Sequence, residues 1–108
     1  GKQVRTFLYI EDALDRIIKL TDHPSYRGPV NIGSDEEVTV TECCKYVADA
    51  AAAKPEWVYV DGPVGVAHRA SDNATWNKRY GEGELVTARE GFRKTYEWME
   101  RNVELSRA

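Results

Sequence analysis

The amino-acid sequence predicts a small α/β domain of about three short strands and four helices, in a two-layer or three-layer-like arrangement. Strand-type segments alternate with amphipathic segments of helical length, which favours at least some parallel strand pairing. Two capping boxes, Thr39 with Glu42 and Thr87 with Glu90, mark the starts of two helices. A length of 108 residues suits a single domain, over residues 1–108, with a modest core.

The first strand passes into the first helix without a turn residue. Residues 4 to 9 are rich in β-branched and aromatic side chains, which indicates a strand. From Ile10 onward the apolar residues follow helical spacing, which predicts a helix over residues 10 to 21. Its apolar positions are Ile10, Ala13, Leu14, Ile17, Ile18 and Leu20. Because they spread over more than one face, a thin sheet cannot cover them all.

The middle of the chain predicts two further strands with a helix between them. Residues 22 to 29 have the Pro, Ser and Gly content of a loop, and residues 29 to 33 that of a short strand. The first capping box opens a helix over residues 40 to 53, which Pro55 ends. The run EWVYV at residues 56 to 60 has the composition of a third strand.

The last third of the chain predicts two helices after a turn-rich connection at residues 61 to 73. Ser71 or Asp72 can cap a short helix that ends near Tyr80. The final helix begins after the second capping box and has an apolar stripe, which consists of Ala88, Phe92, Tyr96, Met99 and Val103.

Composition and charge exclude several classes of function. A net charge of −3 gives no basic field, so we expect neither nucleic acid nor a membrane surface as a partner. No apolar run is long enough to span a membrane, and no signal-peptide pattern opens the chain. Adjacent Cys43 and Cys44 fit no zinc spacing and are poorly placed for a disulfide, so we expect reduced thiols and a cytoplasmic protein. The start at Gly1 suggests the cut end of a longer polypeptide.

The sequence contains no recognisable catalytic or metal-binding motif. It has no Gly-x-Gly-x-x-Gly, and the lone Gly81-Glu82-Gly83 follows a predicted helix, where it serves a turn. None of the six tyrosines is followed four residues later by lysine. Of the two histidines, His68 beside Arg69 is the better site candidate, although the residues alone favour a surface role for it. We therefore expect no catalytic residue and no metal ligand.

Arg5 is unusual because it lies in a strand whose other residues look half buried. A guanidinium pairs bidentately with phosphate oxygens and keeps its charge when it is partly buried. The residues alone favour a plainer alternative, an ion pair with a nearby acid such as Glu11.

Several motifs occur along the chain in one order. They are Gly1-x-Gln3-x-Arg5-x-Phe7-x-Tyr9-Ile10-x-Asp12, then Asn31-Ile32-Gly33-Ser34, then Arg69 with Asp72, and finally Glu90-Gly91-x-x-x-Thr95-Tyr96-Glu97-Trp98. Together they resemble the C-terminal portion of the extended short-chain dehydrogenase/reductase family, the NAD-dependent nucleotide-sugar epimerases and dehydratases. The run from Gly62 to Asn73 is most similar to a plant-type GDP-mannose branch of that family.

The resemblance implies a fold that corresponds to the substrate side of such an enzyme, without its dinucleotide-binding half. It implies that Arg5 and Arg69 reach the diphosphate of a bound nucleotide sugar. It also gives Gln3, Asn31 and His68 as further substrate-binding residues.

Two departures from the family pattern limit what the resemblance implies. Ala67 stands where the GDP-mannose branch has another arginine, which removes a candidate phosphate or sugar contact and leaves the sugar open. Tyr80-Gly81-Glu82 replaces a Leu-Gly-Trp step, which we expect to alter packing only.

The resemblance also implies that the NAD site and the catalytic tyrosine and lysine lie upstream of the matched region. We therefore expect no cofactor on this chain, NAD in full-length relatives, and no catalysis by the chain alone. Two roles of different class remain open: a diphosphate clamp beside an N-terminal NAD-binding domain, and a stand-alone module that acts through protein contacts. A third and weaker alternative is a free nucleotide-sugar binder. Alone, it is expected to bind nucleotide-sugar diphosphates weakly and to self-associate. The DNA upstream of Gly1 would distinguish the first two roles.

Overall fold

A central strand with one neighbour on each side forms the sheet of the protein. The computed structural model describes residues 1–23, 25, 27–63 and 65–103, and over these residues it contains three strands and four helices, which confirms the α/β class. Strand β1 (Val4–Thr6) lies between β2 (Glu37–Thr39) and β3 (His68–Arg69). It pairs antiparallel with β2 and parallel with β3, so the expected parallel pairing is present on one side.

The helices agree well with the sequence pattern. They are α1 (Ile10–Thr21), α2 (Val40–Ala50), α3 (Ala74–Tyr80) and α4 (Ala88–Asn102). The first capping box forms completely: Glu42 N donates to Thr39 Oγ1 (3.2 Å), and Thr39 N donates to Glu42 Oε2 (2.7 Å). The Thr39 backbone N–H and the Thr39 hydroxyl both donate to the Glu42 carboxylate, and these two hydrogen bonds lower the pKa of Glu42.

The second capping box forms only by half. Glu90 N donates to Thr87 Oγ1 (3.3 Å) at the start of α4. The Glu90 carboxylate accepts hydrogen bonds from Arg93 instead of from the Thr87 backbone, and these bonds lower the pKa of Glu90. The N-terminus of α4 is therefore capped by the Thr87 hydroxyl and by Glu36 Oε2, which accepts from Ala88 N (2.6 Å), while Glu90 stabilises the next turn.

Helix α2 ends three residues earlier than predicted. Ala53 N donates to Ala48 O (2.9 Å) and Ala52 N donates to Asp49 O (3.1 Å), the two bonds of a Schellman motif. The residue beyond the cap, Ala52, has a φ of 50°, a conformation that glycine adopts more easily. Backbone hydrogen bonds thus end the helix several residues before Pro55, which was the predicted cause of its end.

The strands differ more from the prediction. The strands expected at residues 29 to 33 and 56 to 60 are wrong, because no strand pairs with these segments within the described part of the chain. The first strand ends at Thr6 and not at residue 9. Strand composition shows that a segment can pair, whereas pairing itself depends on a neighbour. Three positions in predicted loops, residues 24, 26 and 64, lie outside the described residues.

Aromatic residues join α2, α4 and the segment that directly follows β1. Phe92 of α4 meets the ring of Phe7 edge-on with centroids 5.2 Å apart, and Tyr46 of α2 lies 6.3 Å from Phe92. Val38 on β2 and Trp76 on α3 are buried. This packing holds α2 and α4 side by side against the short sheet.

Helix α1 is attached in a different way. Its apolar residues Ile10, Leu14, Ile17 and Ile18 are all between 45% and 60% exposed, as their spread around the helix led us to expect. The inward side of α1 instead carries Arg16, which is only 5% exposed. A buried cation, and not the apolar stripe, therefore anchors α1 to the rest of the fold. No helix in the described ranges is long and apolar enough to cross a membrane.

Candidate functional site

The parallel pairing of β1 with β3 brings two arginines together. Arg5 on β1 and Arg69 on β3 are partners in the strand register. Residues at matched positions on neighbouring strands point to the same face of a sheet, so both side chains leave from one face. The antiparallel partner of Arg5 on its other side is the buried Val38. The result is an arginine pair beside an apolar residue.

The Arg5 guanidinium is held in place by main-chain oxygens. It donates to Val4 O through one terminal nitrogen (2.6 Å) and to Val66 O through the other (2.8 Å). Val66 lies just before β3, so these bonds fix the guanidinium across the junction of the two strands. A guanidinium has five N–H donors, and hydrogen bonding to two carbonyls leaves capacity for a further acceptor.

Arg69 has no such partners. Within the described part of the chain its side chain makes no hydrogen bond or ion pair, and the residue is exposed. Like charges directly opposite each other on neighbouring strands are destabilising. The ion pair of Arg5 with Glu11, which was the plainer alternative, does not form: among the residues that the structure describes, the Arg5 guanidinium bonds only carbonyl oxygens. The register therefore places two like charges on neighbouring strands.

The opposite face of the sheet carries His68. Its Nε2 lies 2.8 Å from Glu37 Oε1, and this contact spans β1 to join the two outer strands. Because neighbouring residues in a strand alternate in direction, His68 faces away from the side of Arg69. The structure therefore separates His68 from the two arginines, and its visible contact is a link between β3 and β2.

The other two residues in the predicted substrate site lie at the edges of this arrangement. Gln3 is half buried just before β1, and its carbonyl oxygen accepts a hydrogen bond from Val40 N (3.0 Å). Asn31 is exposed, and its side-chain amide donates to Asp72 O (3.1 Å). Asn31 thus connects the segment after α1 to the chain just beyond Arg69.

A close approach of two segments fixes the chain after β3. A β-carbon on Gly33 would lie 2.7 Å from Ser71 Cβ and 2.8 Å from Asn73 Oδ1. Only glycine lets the backbone approach this closely. Asn73 is buried and donates to Asp35 Oδ1 (2.8 Å), while Ser71 donates to Asn73 Oδ1 (2.8 Å). This polar network holds the residues that follow Arg69 in one position.

Sequence reasoning missed Arg16, the most buried charged residue of the described chain. Its guanidinium donates to Gly33 O (2.7 Å) and to Glu82 O (3.0 Å), and it lies 4.8 Å from the ring centre of Trp76. A signal was present, because Arg16 has helical spacing to Ala13 and Leu20 and so lies on a second apolar side of α1. Arg16 belongs to the scaffold of the site.

The lone Gly-x-Gly of the sequence forms a turn, as predicted. Gly81 and Gly83 have φ values of 78° and 70°, and they form a turn after α3 where no helix N-terminus is presented to a phosphate. No cluster of metal-ligating side chains occurs in these residues. Cys43 and Cys44 are free, and burial raises the pKa of the Cys43 thiol, which disfavours a thiolate nucleophile.

Comparison with known proteins relates the chain to enzymes of GDP-sugar metabolism. It is 34% identical over 108 residues to GDP-mannose 3,5-epimerase of Arabidopsis thaliana, which covers 100% of this chain and 28% of that enzyme. It is 32% identical over 104 residues to GDP-mannose 3,5-epimerase 1 of Oryza sativa subsp. indica, covering 96% of this chain and 27% of the relative.

The chain is also similar to a second kind of enzyme. The chain is 32% identical over 104 residues to probable GDP-L-fucose synthase 1 of Oryza sativa subsp. japonica, covering 95% of this chain and 31% of that protein. No protein-family model matches the chain. In each comparison the chain spans less than a third of the relative's length. The chain therefore belongs, as a counterpart of the C-terminal part of these enzymes, to the extended short-chain dehydrogenase/reductase family of nucleotide-sugar epimerases.

Proposed function

We propose that Arg5 and Arg69 form a clamp for the diphosphate of a GDP-linked sugar. The observation that carries the proposal is their adjacency on one face of the sheet, without a carboxylate bonded to either guanidinium among the described residues. Two cations at matched positions on adjacent strands repel each other, and a diphosphate offers each of them bidentate acceptors. The names of the matched relatives supply the nucleotide sugar.

We assign supporting roles to the remaining candidates. His68 links β3 to β2 from the opposite face, and Asn31 binds the chain beyond Arg69, so both help to hold Arg69 in register. Gln3, beside β1, stays a candidate for a direct substrate contact. The clamp thus consists of two arginines on a small polar scaffold.

The clamp binds substrate and performs no chemistry by itself. The chain has neither a dinucleotide loop nor a Tyr-x-x-x-Lys pair, and we propose that in a complete enzyme an N-terminal NAD-binding domain supplies both. Alone, the chain is expected to bind the nucleotide sugar weakly, because half of the site is missing, and to bind no NAD.

Isothermal titration calorimetry with GDP-mannose, GDP, GMP and NAD tests the clamp. We expect GDP-mannose and GDP to bind weakly, GMP more weakly still, and NAD not at all. Arg5→Ala and Arg69→Ala should each weaken GDP binding about tenfold or more, since a hydrogen bond to a charged group contributes about 1.5–3 kcal/mol. Added salt should weaken binding, and lysine at either position should restore only part of it.

A matched control is Arg89→Ala. Arg89 is an exposed arginine on α4 that pairs with Asp49, so its replacement removes the same charge away from the sheet. It should leave GDP affinity unchanged. Equal losses of GDP affinity in all three alanine variants would show that the effect comes from net charge alone. Unchanged GDP affinity in Arg5→Ala and Arg69→Ala would contradict the clamp.

A second candidate function is a non-catalytic module that acts through protein contacts. The exposure of the apolar residues on α1 favours it. The DNA sequence upstream of the codon for Gly1 distinguishes the two: an open frame with a glycine-rich loop and Tyr-x-x-x-Lys supports the enzyme, and a start codon supports the module.

A further inference from the structure

A surface depression lies where the start of α1 meets the middle of α4. Its volume is about 420 Å³, within the range of about 300–1,000 Å³ that is typical of small-molecule sites. The residues that line it are Tyr9, Ile10, Glu11, Lys94, Thr95 and Trp98. Neither Arg5 nor Arg69 is among them, so this depression is separate from the arginine pair on the sheet.

Three polar side chains that line the depression make no hydrogen bond within the described part of the chain. They are the hydroxyl of Tyr9, the carboxylate of Glu11 and the indole N–H of Trp98. The Thr95 hydroxyl, by contrast, already donates to Gly91 O (2.8 Å). An indole N–H only donates, a carboxylate only accepts and a phenol does both. A ligand that bonds to all three therefore carries both donors and acceptors.

The two charges in the lining have opposite signs. Glu11 supplies a carboxylate and Lys94 an ammonium group. A ligand with a net charge is attracted by one of these groups and repelled by the other, whereas a neutral polar ligand can bond to both. The lining thus favours a neutral ligand.

Trp98 gives the depression an open aromatic surface. The residue is 58% exposed, whereas the ring of Tyr9 already has the Lys94 ammonium 5.2 Å from its centre. Indole combines a large apolar face with one hydrogen-bond donor at its edge. A pyranose sugar has the matching chemistry, because one of its faces consists of C–H groups and its hydroxyls both donate and accept around the rim.

We propose that this depression binds a neutral pyranose sugar. The C–H face of the sugar packs on the ring of Trp98, and its hydroxyls donate to Glu11 and accept from Lys94. The inference is independent of the diphosphate clamp, since it uses none of the clamp residues.

Two-dimensional ¹H–¹⁵N NMR tests the site, because each of the three tryptophans gives its own indole N–H signal. Methyl α-mannopyranoside should shift the Trp98 signal with a dissociation constant on the order of 1–10 mM, and it should leave the signals of Trp57 and Trp76 in place. Mannitol carries similar hydroxyls on an open chain, without a preformed C–H face. It should bind about tenfold more weakly or less.

Substitutions test the two main contacts, with binding followed through the signals of the sugar. Trp98→Ala should weaken mannoside binding about tenfold or more. Glu11→Gln should weaken it about three- to tenfold, because a neutral amide accepts a weaker hydrogen bond than a carboxylate. Trp57→Ala is the matched control, since Trp57 is 42% exposed and lies outside this depression. It should leave the affinity unchanged, and circular dichroism should show that all three variants keep their helices.

Four results would overturn the proposal. One is a Trp98 signal that does not move at mannoside concentrations well above this range, and another is equal binding of mannitol. A third is a stronger response of Trp98 to choline chloride or sodium acetate than to the sugar, which would assign the depression to a charged ligand. The fourth is a loss of GDP affinity in Trp98→Ala as large as that in Arg69→Ala, because the depression would then be part of the clamp.

Discussion

Arg16 and the pair formed by Arg5 and Arg69 show two uses of the same side chain. Arg16 is buried, bonds two carbonyl oxygens from distant segments and lies over an indole ring. Arg5 is only partly buried and Arg69 is exposed, and the two cations are neighbours. Arg5 also bonds two carbonyl oxygens, whereas Arg69 has no hydrogen-bond partner among the described residues. What distinguishes Arg16 is its burial and its contact with Trp76, and what distinguishes the other two is that they are neighbouring cations, which under the proposed clamp would gain from an anion.

The largest expected effect on stability comes from replacing Arg16, the buried arginine. Arg16→Ala removes two hydrogen bonds and leaves the carbonyls of Gly33 and Glu82 without this donor. We expect a loss of about 3 kcal/mol in the free energy of unfolding, measured by urea denaturation. Arg89→Ala, which removes an exposed ion pair, should cost less than about 1 kcal/mol. Similar losses in the two variants would contradict a structural role for Arg16.

A smaller loss of stability is expected at Gly33, which packs against the residues that follow Arg69. Gly33→Ala forces a β-carbon to within 2.7 Å of Ser71 Cβ. Overpacking of this kind costs about 1–3 kcal/mol, and the shift of Ser71 should also weaken GDP binding because Arg69 lies two residues before it. Gly62→Ala is the control, since no atom lies within 4 Å of its added β-carbon. If calorimetry found equal GDP affinity in both variants, the network would not position Arg69.

Replacing Arg69 in the proposed clamp should change the stability of the ligand-free protein in the opposite direction. Without ligand, Arg69→Ala relieves repulsion from Arg5 and should stabilise the protein slightly, by about 0.5 kcal/mol. With saturating GDP the same variant should be less stable than the wild type, because it loses the stabilisation that binding confers. Thermal unfolding with and without GDP measures both values. A variant that is less stable in both conditions would make Arg69 a structural residue like Arg16.

The smallest effect is expected on the opposite face. Glu37→Gln removes the charge from the contact with His68. The side chain of His68 is 55% exposed and that of Glu37 is 50% exposed. Exposed pairs of this kind contribute about 0–1 kcal/mol, so urea denaturation should detect little change. GDP affinity should fall less than in Arg69→Ala, since His68 only supports β3. A loss of GDP affinity as large as that in Arg69→Ala would indicate that His68 contacts the substrate directly.

Helices in this protein could be predicted because their signals are local. The capping box of Thr39 with Glu42 and the apolar spacing from Ile10 lie within the segments that they shape. The prediction of strands at residues 29 to 33 and 56 to 60 was wrong because a strand needs a pairing neighbour, and that neighbour can be distant in sequence. For the same reason the two-residue strand β3 left no sequence signal.

The site could be predicted only in part. The resemblance pointed to Arg5 and Arg69, but their adjacency follows from the β1–β3 register, which sequence does not state. The orientation of His68 depends on the same register. Arg16 was missed because the most regular apolar stripe on α1 faces outward, and the inward side consists of a cation between two less prominent apolar residues.

The exposed segment at residues 56 to 60 has a consequence for the behaviour of the protein in concentrated solution. Its run Trp-Val-Tyr-Val combines high β-propensity with no charge and no proline, and Val58, Tyr59 and Val60 are between 71% and 83% exposed. Windows of about six or seven residues with these properties can nucleate cross-β fibrils. Here the run is ended by Glu56 on one side and Asp61 on the other, with Pro55 just before it, and charges and proline at such flanks act as gatekeepers against fibril growth. We therefore expect this exposed segment to stay accessible in concentrated solution without nucleating fibrils.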